Sequence, residues 1–260
     1  MDKLDYFKKI TDKKSFSDIE WNIPEQKTGT LTLVGGNRDN FSFLIRSAEN
    51  LENTKIKTLK ILLPDALQNK LPPLPNLSFL PSTSSGSIAK SKILDDYFTS
   101  SDFVAILGDL SKNSETAIAI ANAIKNTKTA VLLTRDAIDL TLPEMPNLIE
   151  RENLFFVGSA AQIQKLFRAV YYPKVLLLSM PLIPVVEALH KFTLSYPATI
   201  LTFHQEQILI AKDGKIFSIP LEKTNYTPIS LWSSDLATKI AANNLLLKNT
   251  PLEATALSVF

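Results

Sequence analysis

Short runs of apolar, largely β-branched residues alternate with segments of helical periodicity along most of this chain. A strand pattern at residues 30–34 is followed by a helical pattern over about residues 42–53 and a second strand pattern at residues 58–63. The alternation continues with strands at residues 103–107, 130–133, 154–157, 175–178 and 199–202, and with a helix at residues 114–125. Strand, helix and strand at this spacing form βαβ units. The sequence therefore predicts an α/β fold with a mainly parallel central sheet and helices on both faces.

The pattern changes near the C-terminus. Residues 207–211 and 216–219 are apolar runs on either side of Asp213-Gly214, a pair that favours a tight primed turn, so they predict a β-hairpin. Two helical patterns follow, at about residues 234–247 and 252–259. We expect the hairpin to extend the sheet and the two helices to close the domain.

The division into domains follows from length and from one loop-like stretch. Residues 71–87 are rich in proline and serine and are predicted as a long surface loop. Strand patterns of the same kind lie on both sides of this stretch, so it is not a domain boundary. With 260 residues and 45% hydrophobic content, the chain can bury one full core. We predict an N-terminal extension over residues 1–20 and a single domain over residues 21–260.

Composition excludes several classes of function. The 28 basic and 26 acidic residues give a formal charge of +2, too small for the electrostatic footprint of a nucleic-acid binder. Residues 1–14 contain no apolar signal segment, and the most apolar run, residues 175–186, is shorter than the about 20 residues of a membrane span. We therefore expect a cytoplasmic protein that binds neither nucleic acid nor membrane.

The usual catalytic motifs are missing as well. The seven glycines form neither G-x-G-x-x-G nor G-x-x-x-x-G-K-[ST], so no standard phosphate-binding loop is present. There is no cysteine, which removes thiol nucleophiles and zinc–thiolate sites. Only His190 and His204 could serve a hydrolytic triad, and no G-x-S-x-G elbow accompanies them. No metal site is predicted.

Several segments, taken in order, follow the motifs of one known superfamily. Lys27, Gly29 and the turn Gly35-Gly36-Asn37 surround the first strand in a pattern of lysine, glycine, strand and Gly-Gly-Ser. Gly108, in residues 107–112, lies where the family has a Gly-Pro-Gly-Leu-Gly loop entering a helix, and residues 134–138 are similar to its Asp-Ala-Asp-Ala-Leu segment. Asn225 and Asp235 have the spacing of a family asparagine from the aspartate of a Gly-Ser-Gly-Asp motif. From about residue 21 onward the chain resembles a divergent ribokinase-superfamily protein, in particular the ADP- or ATP-dependent NAD(P)H-hydrate dehydratases.

The resemblance implies a ribokinase-like three-layer α/β/α sandwich and a set of candidate site residues. Asp235 corresponds to the aspartate that serves as general acid or base at the N-terminus of a helix; the alternative is a first-turn aspartate stabilised by the helix dipole. ADP or ATP with magnesium would be the cofactor only if this site is functional. The candidate ligand-binding residues are Gly35, Gly36, Asn37, Gly108, Asn225, Ser233 and Ser234.

The chain departs from the family at four points. Trp232 and Ser234 replace the two glycines flanking Ser233, Phe203-His204 replaces a Lys-Gly pair, residues 159–162 replace a His-Pro-Gly-Glu element, and Asp39 places a carboxylate near the first turn. These departures favour a degenerate dehydratase-like protein that binds a ligand or has a structural role. The alternative is an active nucleotide-dependent dehydratase or a small-metabolite kinase that uses Asp235. An open cleft could survive if Trp232 and Phe203-His204 point into solvent or the core.

Family resemblance also suggests a homo-oligomer. An apolar stripe on the terminal helices, formed by Ile240, Leu245, Leu246 and Leu247, is available either for such an interface or for the core. We favour the core for this stripe.

Overall fold

A computed structural model of the chain describes residues 4–17, 19, 24–51, 53–72 and 75–260. These residues form one sheet of ten strands in the order β1-β10-β9-β8-β7-β6-β5-β2-β3-β4. The strands are β1 (Phe7–Lys9), β2 (Thr28–Val34), β3 (Ile56–Pro64), β4 (Leu77–Leu80), β5 (Phe103–Ile106), β6 (Ala130–Thr134), β7 (Leu154–Val157), β8 (Thr199–His204), β9 (Gln207–Lys212) and β10 (Lys215–Pro220). The described helices are α1 (Ser42–Glu49), α2 (Lys92–Thr99), α3 (Ser114–Lys125), α4 (Asp136–Thr141), α5 (Ala160–Ala169), α6 (Leu182–Ser195), α7 (Ser234–Leu246) and α8 (Pro251–Leu257).

The sheet is mostly parallel, as predicted. Strands β4, β3, β2, β5, β6, β7 and β8 pair in parallel, and the β9–β10 hairpin continues the sheet in antiparallel pairing beyond β8. Three of the predicted strands, β2, β5 and β6, are neighbours near its centre. The α/β fold class and the C-terminal hairpin are therefore confirmed.

Strand alternation explains why the sheet is covered on both faces. In β5, Val104 and Ile106 belong to the core cluster of one face, whereas Phe103 and Ala105 belong to the cluster of the other. Successive side chains of a strand point to opposite faces, so a strand covered on both sides is apolar throughout. Helices α2 to α6 contribute to the first cluster, and α1, α7 and α8 contribute to the second. The result is the three-layer arrangement that the alternating pattern predicted.

The prediction of a buried strand at residues 175–178 is wrong. No strand forms there, and Val175, Leu177 and Leu178 are 50%, 54% and 74% exposed. Leu176 alone is buried, and its N–H donates to the side chain of Gln164. The run fails to join the sheet because β8 already pairs directly with β7. Most of its apolar side chains therefore lie at the surface.

The loop predicted over residues 71–87 contains an edge strand, β4, which pairs with β3; residues 73 and 74 lie outside the described part. An edge strand has one neighbour and needs fewer apolar positions, and three of the four residues of β4 are only half-buried. The apolar stripe on the terminal helices lies in the core, since Ile240, Leu245 and Leu247 are buried.

The N-terminal segment also takes part in the sheet. Strand β1 pairs in parallel with β10, flanked by bonds from the Ile216 N–H to the Tyr6 carbonyl (2.7 Å) and from the Ile10 N–H to the Ser218 carbonyl (2.8 Å). The ring of Tyr6 stacks on His190 of α6 with centroids 3.6 Å apart. Residues that the sequence analysis assigned to an extension thus form an edge strand. None of the described helices is long and apolar enough to cross a membrane.

Candidate functional site

Two glycine turns meet where β2 and β5 end. In open α/β sheets this carboxyl edge is where ligands usually bind. The N–H of Gly36 donates to the carbonyl of Gly108 (3.0 Å), and both glycines have positive φ. A Cβ on Gly35 would lie 2.7 Å from the same carbonyl oxygen. Glycine is needed here for close approach of two backbones, so these candidates serve the turn whether or not a ligand binds.

Asn37 organises the first turn. Its Nδ2 donates to the carbonyl of Asp109 (2.6 Å), and its Oδ1 accepts from the N–H groups of Asp39 (2.9 Å) and Asn40 (3.2 Å). The side chain is buried and engaged at both ends. It ties the turn after β2 to the loop after β5, whereas the side chain of Asp39 is exposed.

An ion pair occupies the space between the loops after β5 and β6. The guanidinium of Arg135 donates to both carboxylate oxygens of Asp109, at 2.7 and 3.1 Å. It also lies over the ring of Phe43 in α1, 4.9 Å from the ring centroid, in cation–π contact. Arg135 and Asp109 both have φ near 56°, in the region that favours glycine. A forked, doubly bonded pair of this kind is geometrically fixed.

Asp136 is the most unusual carboxyl in the described chain. Its Oδ2 accepts from the Leu110 N–H (2.9 Å), whereas its Oδ1 is buried without a hydrogen-bond partner among the described residues. Burial raises the pKa of Asp136, and the neighbouring Asp109 raises it further against the lowering effects of backbone hydrogen bonds and Arg135. A Cβ on Gly108 would come within 2.5 Å of this Oδ1. Asp136 therefore lies directly behind the second glycine turn.

A cleft of about 370 Å³ opens beside Asp136. Asp139 lies in its wall and pairs with Lys165 (2.5 Å), and Gln162 bonds to Asp139 (2.8 Å) and to the Arg135 carbonyl (2.7 Å). The cleft thus presents carboxylates, ammonium groups and hydroxyls together. Its lining is Lys112, Asn113, Ser114, Ala117, Asp136, Asp139, Leu140 and Lys165.

Asp235 lies in the first turn of α7, preceded by Ser233 as N-cap and Ser234 as first helical residue. Its Oδ1 accepts from Ser47 Oγ (3.0 Å) and Asn50 Nδ2 (3.2 Å), which join α7 to α1. The hydroxyl of Ser233 turns back to the Ser230 carbonyl (2.6 Å), and no side chain in the described chain caps the first amides of α7. These amides are available to an anion.

The residues that replace family motifs are packed inward. Trp232 and Phe203 are half-buried against the core cluster beneath α1, α7 and α8. His204 is buried, and its Nε2 shares a hydrogen bond with the Met180 carbonyl (2.7 Å). Ser159 and Gln162 form a capping box at the start of α5. Trp232 and Phe203 therefore point toward the core, which is one of the two orientations that would leave a cleft open.

The predicted residues thus fall into two groups. Gly35, Gly36, Asn37 and Gly108 meet at the glycine turns, and Ser233, Ser234 and Asp235 lie at the start of α7. Ser234 Oγ links the groups through the Leu107 carbonyl at 3.4 Å. Asn225 is exposed on the segment before α7 and shares no hydrogen bond with either group in the described chain. No three metal-binding side chains of the described residues cluster together.

The ion pair and Asp136 are not among the site residues predicted from the sequence. One signal was available, because Asp109, Arg135 and Asp136 all follow directly on predicted core strands, where functional side chains of parallel sheets concentrate. Their mutual contact was not predictable, since Asp109 and Arg135 are 26 positions apart.

Comparison of the fold with solved structures gives consistent results. A ribokinase-like superfamily protein from Enterococcus faecalis is 14% identical, with a TM-score of 0.69 over 98% of this chain and 86% of that one. An ADP/ATP-dependent NAD(P)H-hydrate dehydratase from Bacillus subtilis, co-crystallised with ATP and Mg²⁺, is 14% identical, with a TM-score of 0.60 over 92% and 82%. Bacillus subtilis pyridoxal kinase in complex with ADP is 8% identical, with a TM-score of 0.50 over 89% of each chain.

Sequence comparison adds nothing to these structural matches. No protein-family model matches the chain, and no curated protein matches it in sequence. The similarity is therefore one of architecture at low identity, which confirms the resemblance at the level of the fold. The chain has the ribokinase-like fold, at 14% identity to the dehydratase and 8% identity to the kinase that share it.

Proposed function

We propose that this chain is a degenerate NAD(P)H-hydrate dehydratase-like protein that binds a small molecule at the carboxyl edge of its sheet without carrying out the dehydratase reaction. The main support for this proposal is the Arg135–Asp109 ion pair, which joins the loops after β5 and β6 and contacts the ring of Phe43. The two charged side chains are only 25% and 16% exposed. A ligand that entered at the ion pair itself would have to separate this fixed and largely desolvated pair, which opposes binding at that point and leaves the cleft beside Asp136 for a small ligand.

The lost acid–base element supports the same proposal. Where the resemblance places a histidine and a glutamate, Ser159 and Gln162 bond to each other and hold the start of α5. Neither a hydroxyl nor an amide transfers protons efficiently near neutral pH, so general acid–base catalysis at this position is removed. Asp136 and the cleft beside it keep the polar groups needed to orient a small ligand.

A second candidate is an active nucleotide-dependent dehydratase or small-metabolite kinase that uses Asp235. Two observations favour it: Trp232 and Phe203 pack against the core, and the first amides of α7 have no side-chain cap among the described residues. Those amides fit a phosphate group of ADP or ATP. The fit is partial, because Phe203 supplies no charge where the family has a lysine.

Thermal unfolding with ADP or ATP, with and without Mg²⁺, separates the two candidates. A ligand present at 100 times its Kd stabilises the native state by about 2.7 kcal/mol, a shift of several degrees for a domain of this size. We expect no shift at millimolar nucleotide and no conversion of hydrated NADH to NADH, followed by the absorbance of the reduced nicotinamide. A saturable rise that is lost when Ser233 is replaced by tryptophan would reject the degenerate protein in favour of the enzyme.

We also propose that the chain self-associates, through a surface other than the terminal helices. Tyr171, Val175, Leu177 and Leu178 form an exposed apolar segment between α5 and α6. Beside it, one small cleft is lined by Glu187 together with Lys174 and Lys191. A surface with both charge signs around an apolar centre is complementary to a two-fold-related copy of itself, which supports a second copy of this chain as its partner.

A further inference from the structure

A second cleft lies at the opposite edge of the sheet, at the amino ends of β5, β6 and β7. It has a volume of about 410 Å³ and is closed on one side by the end of α7 and the start of α8. This volume lies within the range of small-molecule sites. The cleft shares no lining residue with the candidate site, so what binds here is independent of the function proposed above.

The inner wall of this cleft is apolar and aromatic. Phe103 and Phe155 contact each other with ring centroids 5.3 Å apart, and both line the cleft together with Leu245 and Ala130. Phe103 and Phe155 are buried, so the wall is fixed by the core behind it. A flat apolar group is the natural complement of such a wall.

Positive charge around the cleft exceeds negative charge. Asp102 is already engaged, because one carboxylate oxygen accepts from the Thr30 N–H (2.8 Å) and the other lies 3.5 Å from Lys248 Nζ. Lys128 lines the cleft and is exposed. Behind the lining, Arg151 donates to the carbonyl of Thr129, a lining residue, at 2.5 Å, and burial lowers its pKa. Neither Lys128 nor Arg151 has a carboxylate within ion-pair distance in the described part of the chain.

One lining side chain has an acceptor oxygen that receives no hydrogen bond from the described residues. Asn244 is 5% exposed, and its Nδ2 donates to the Ile240 carbonyl (2.9 Å) and to Thr255 Oγ1 (3.1 Å). Its Oδ1 is buried and has no partner among the described residues. A buried acceptor without a donor is costly, and a donor brought by a ligand would remove that cost.

We propose that this cleft binds a small aromatic anion that carries a hydrogen-bond donor: the ring against Phe155 and Leu245, the anionic group toward Lys128 and Lys248, and the donor toward Asn244. Each of these three parts of the ligand matches one feature of the cleft. The aromatic pair accounts for the ring, the excess of two lysines over one aspartate in the lining for the charge, and the unpaired Oδ1 for the donor.

The test uses three isosteric probes and the full chain labelled with ¹⁵N. We expect 4-aminobenzoate to shift the amide signals of Thr129, Asn153 and Asn244 saturably, with a Kd in the millimolar range typical of so small a ligand. 4-Methylbenzoate, which lacks the donor, is expected to bind about two- to tenfold more weakly. 4-Aminobenzamide, which lacks the charge, is expected to bind at least about fivefold more weakly.

Two double variants keep the test specific. Lys128→Gln with Lys248→Gln changes exposed side chains, so we expect native melting behaviour and several-fold weaker binding of 4-aminobenzoate. Lys92→Gln with Lys215→Gln, also exposed and distant from the cleft, is the matched control and should bind as the wild type does. Three outcomes would overturn the proposal: equal affinity for 4-aminobenzoate and 4-aminobenzamide, signal changes that map to the cleft beside Asp136, or unchanged affinity in the Lys128/Lys248 variant.

Discussion

Replacing Asp235 by alanine would remove the acceptor that joins α7 to α1. Ser47, which is fully buried, donates to Asp235 Oδ1 and would lose this partner, whereas Asn50 is exposed and can turn to water. A hydrogen bond to a charged group contributes about 1.5–3 kcal/mol, and the first-turn dipole adds about 0.3–1 kcal/mol. We expect the free energy of unfolding to fall by about 2–4 kcal/mol, which lowers Tm by roughly 5–10 °C for a domain of this size.

Four further variants separate the contributions to this loss of stability. Asp235→Asn keeps the acceptor but removes the charge, so it should cost about half as much. Asp95→Ala removes a first-turn aspartate of α2 whose carboxylate accepts no hydrogen bond from another described residue, so it should show the dipole effect alone. A cycle of Asp235→Ala with Ser47→Ala should give a coupling energy of about 1 kcal/mol or more. Urea unfolding measures all five variants. If Asp235→Ala cost no more than Asp95→Ala, the carboxylate would not be structural, and its assignment as a catalytic group would gain support.

Two more predictions follow from buried charge and exposed apolar surface. Because burial raises the folded-state pKa of Asp136 above its ordinary value, the folded chain binds this proton more tightly than the unfolded chain, so this stabilisation is present below about pH 4 and is lost as pH rises through the folded-state pKa. In urea unfolding at several pH values, the wild type should therefore lose stability relative to Asp136→Asn as pH rises from 4 toward 7; parallel profiles would contradict this. Replacing Leu177 and Leu178 together by serine should shift self-association toward monomer in sedimentation velocity without lowering Tm, whereas an unchanged mass distribution, or a monomeric wild type at micromolar concentration, would remove the proposed interface.

The fold was predictable wherever local pattern and sheet position agree. Strands β5 and β7 are continuous apolar runs, and the predicted bounds of β7 match the structure. Residues 175–178 are equally apolar, but whether such a run enters the sheet depends on which strand already occupies the neighbouring position. That competition with β8 is a property of the whole chain and leaves no local signal.

The candidate site shows the same limit. The glycine turns at Gly36 and Gly108 could be predicted because a turn with positive φ favours glycine at that position, whatever the rest of the chain does. The pairing of Arg135 with Asp109 depends on how two loops face each other. Likewise, Trp232 stands in place of a glycine, yet whether its ring blocks a cleft or joins the core is decided by packing rather than by residue type.

Pairing of β1 with β10 has a consequence for synthesis of the chain. Phe7 finds its partner Ile216 only after about 210 further residues have been made, and at about 5–20 residues per second this delay is on the order of 10–40 s. During that interval the rest of the parallel sheet can already form on the ribosome. Strand β1 is then made before the other strands of this sheet and docks after them, and a bulky group inserted just before Phe7 would interfere with the closing step of folding and leave the early steps intact.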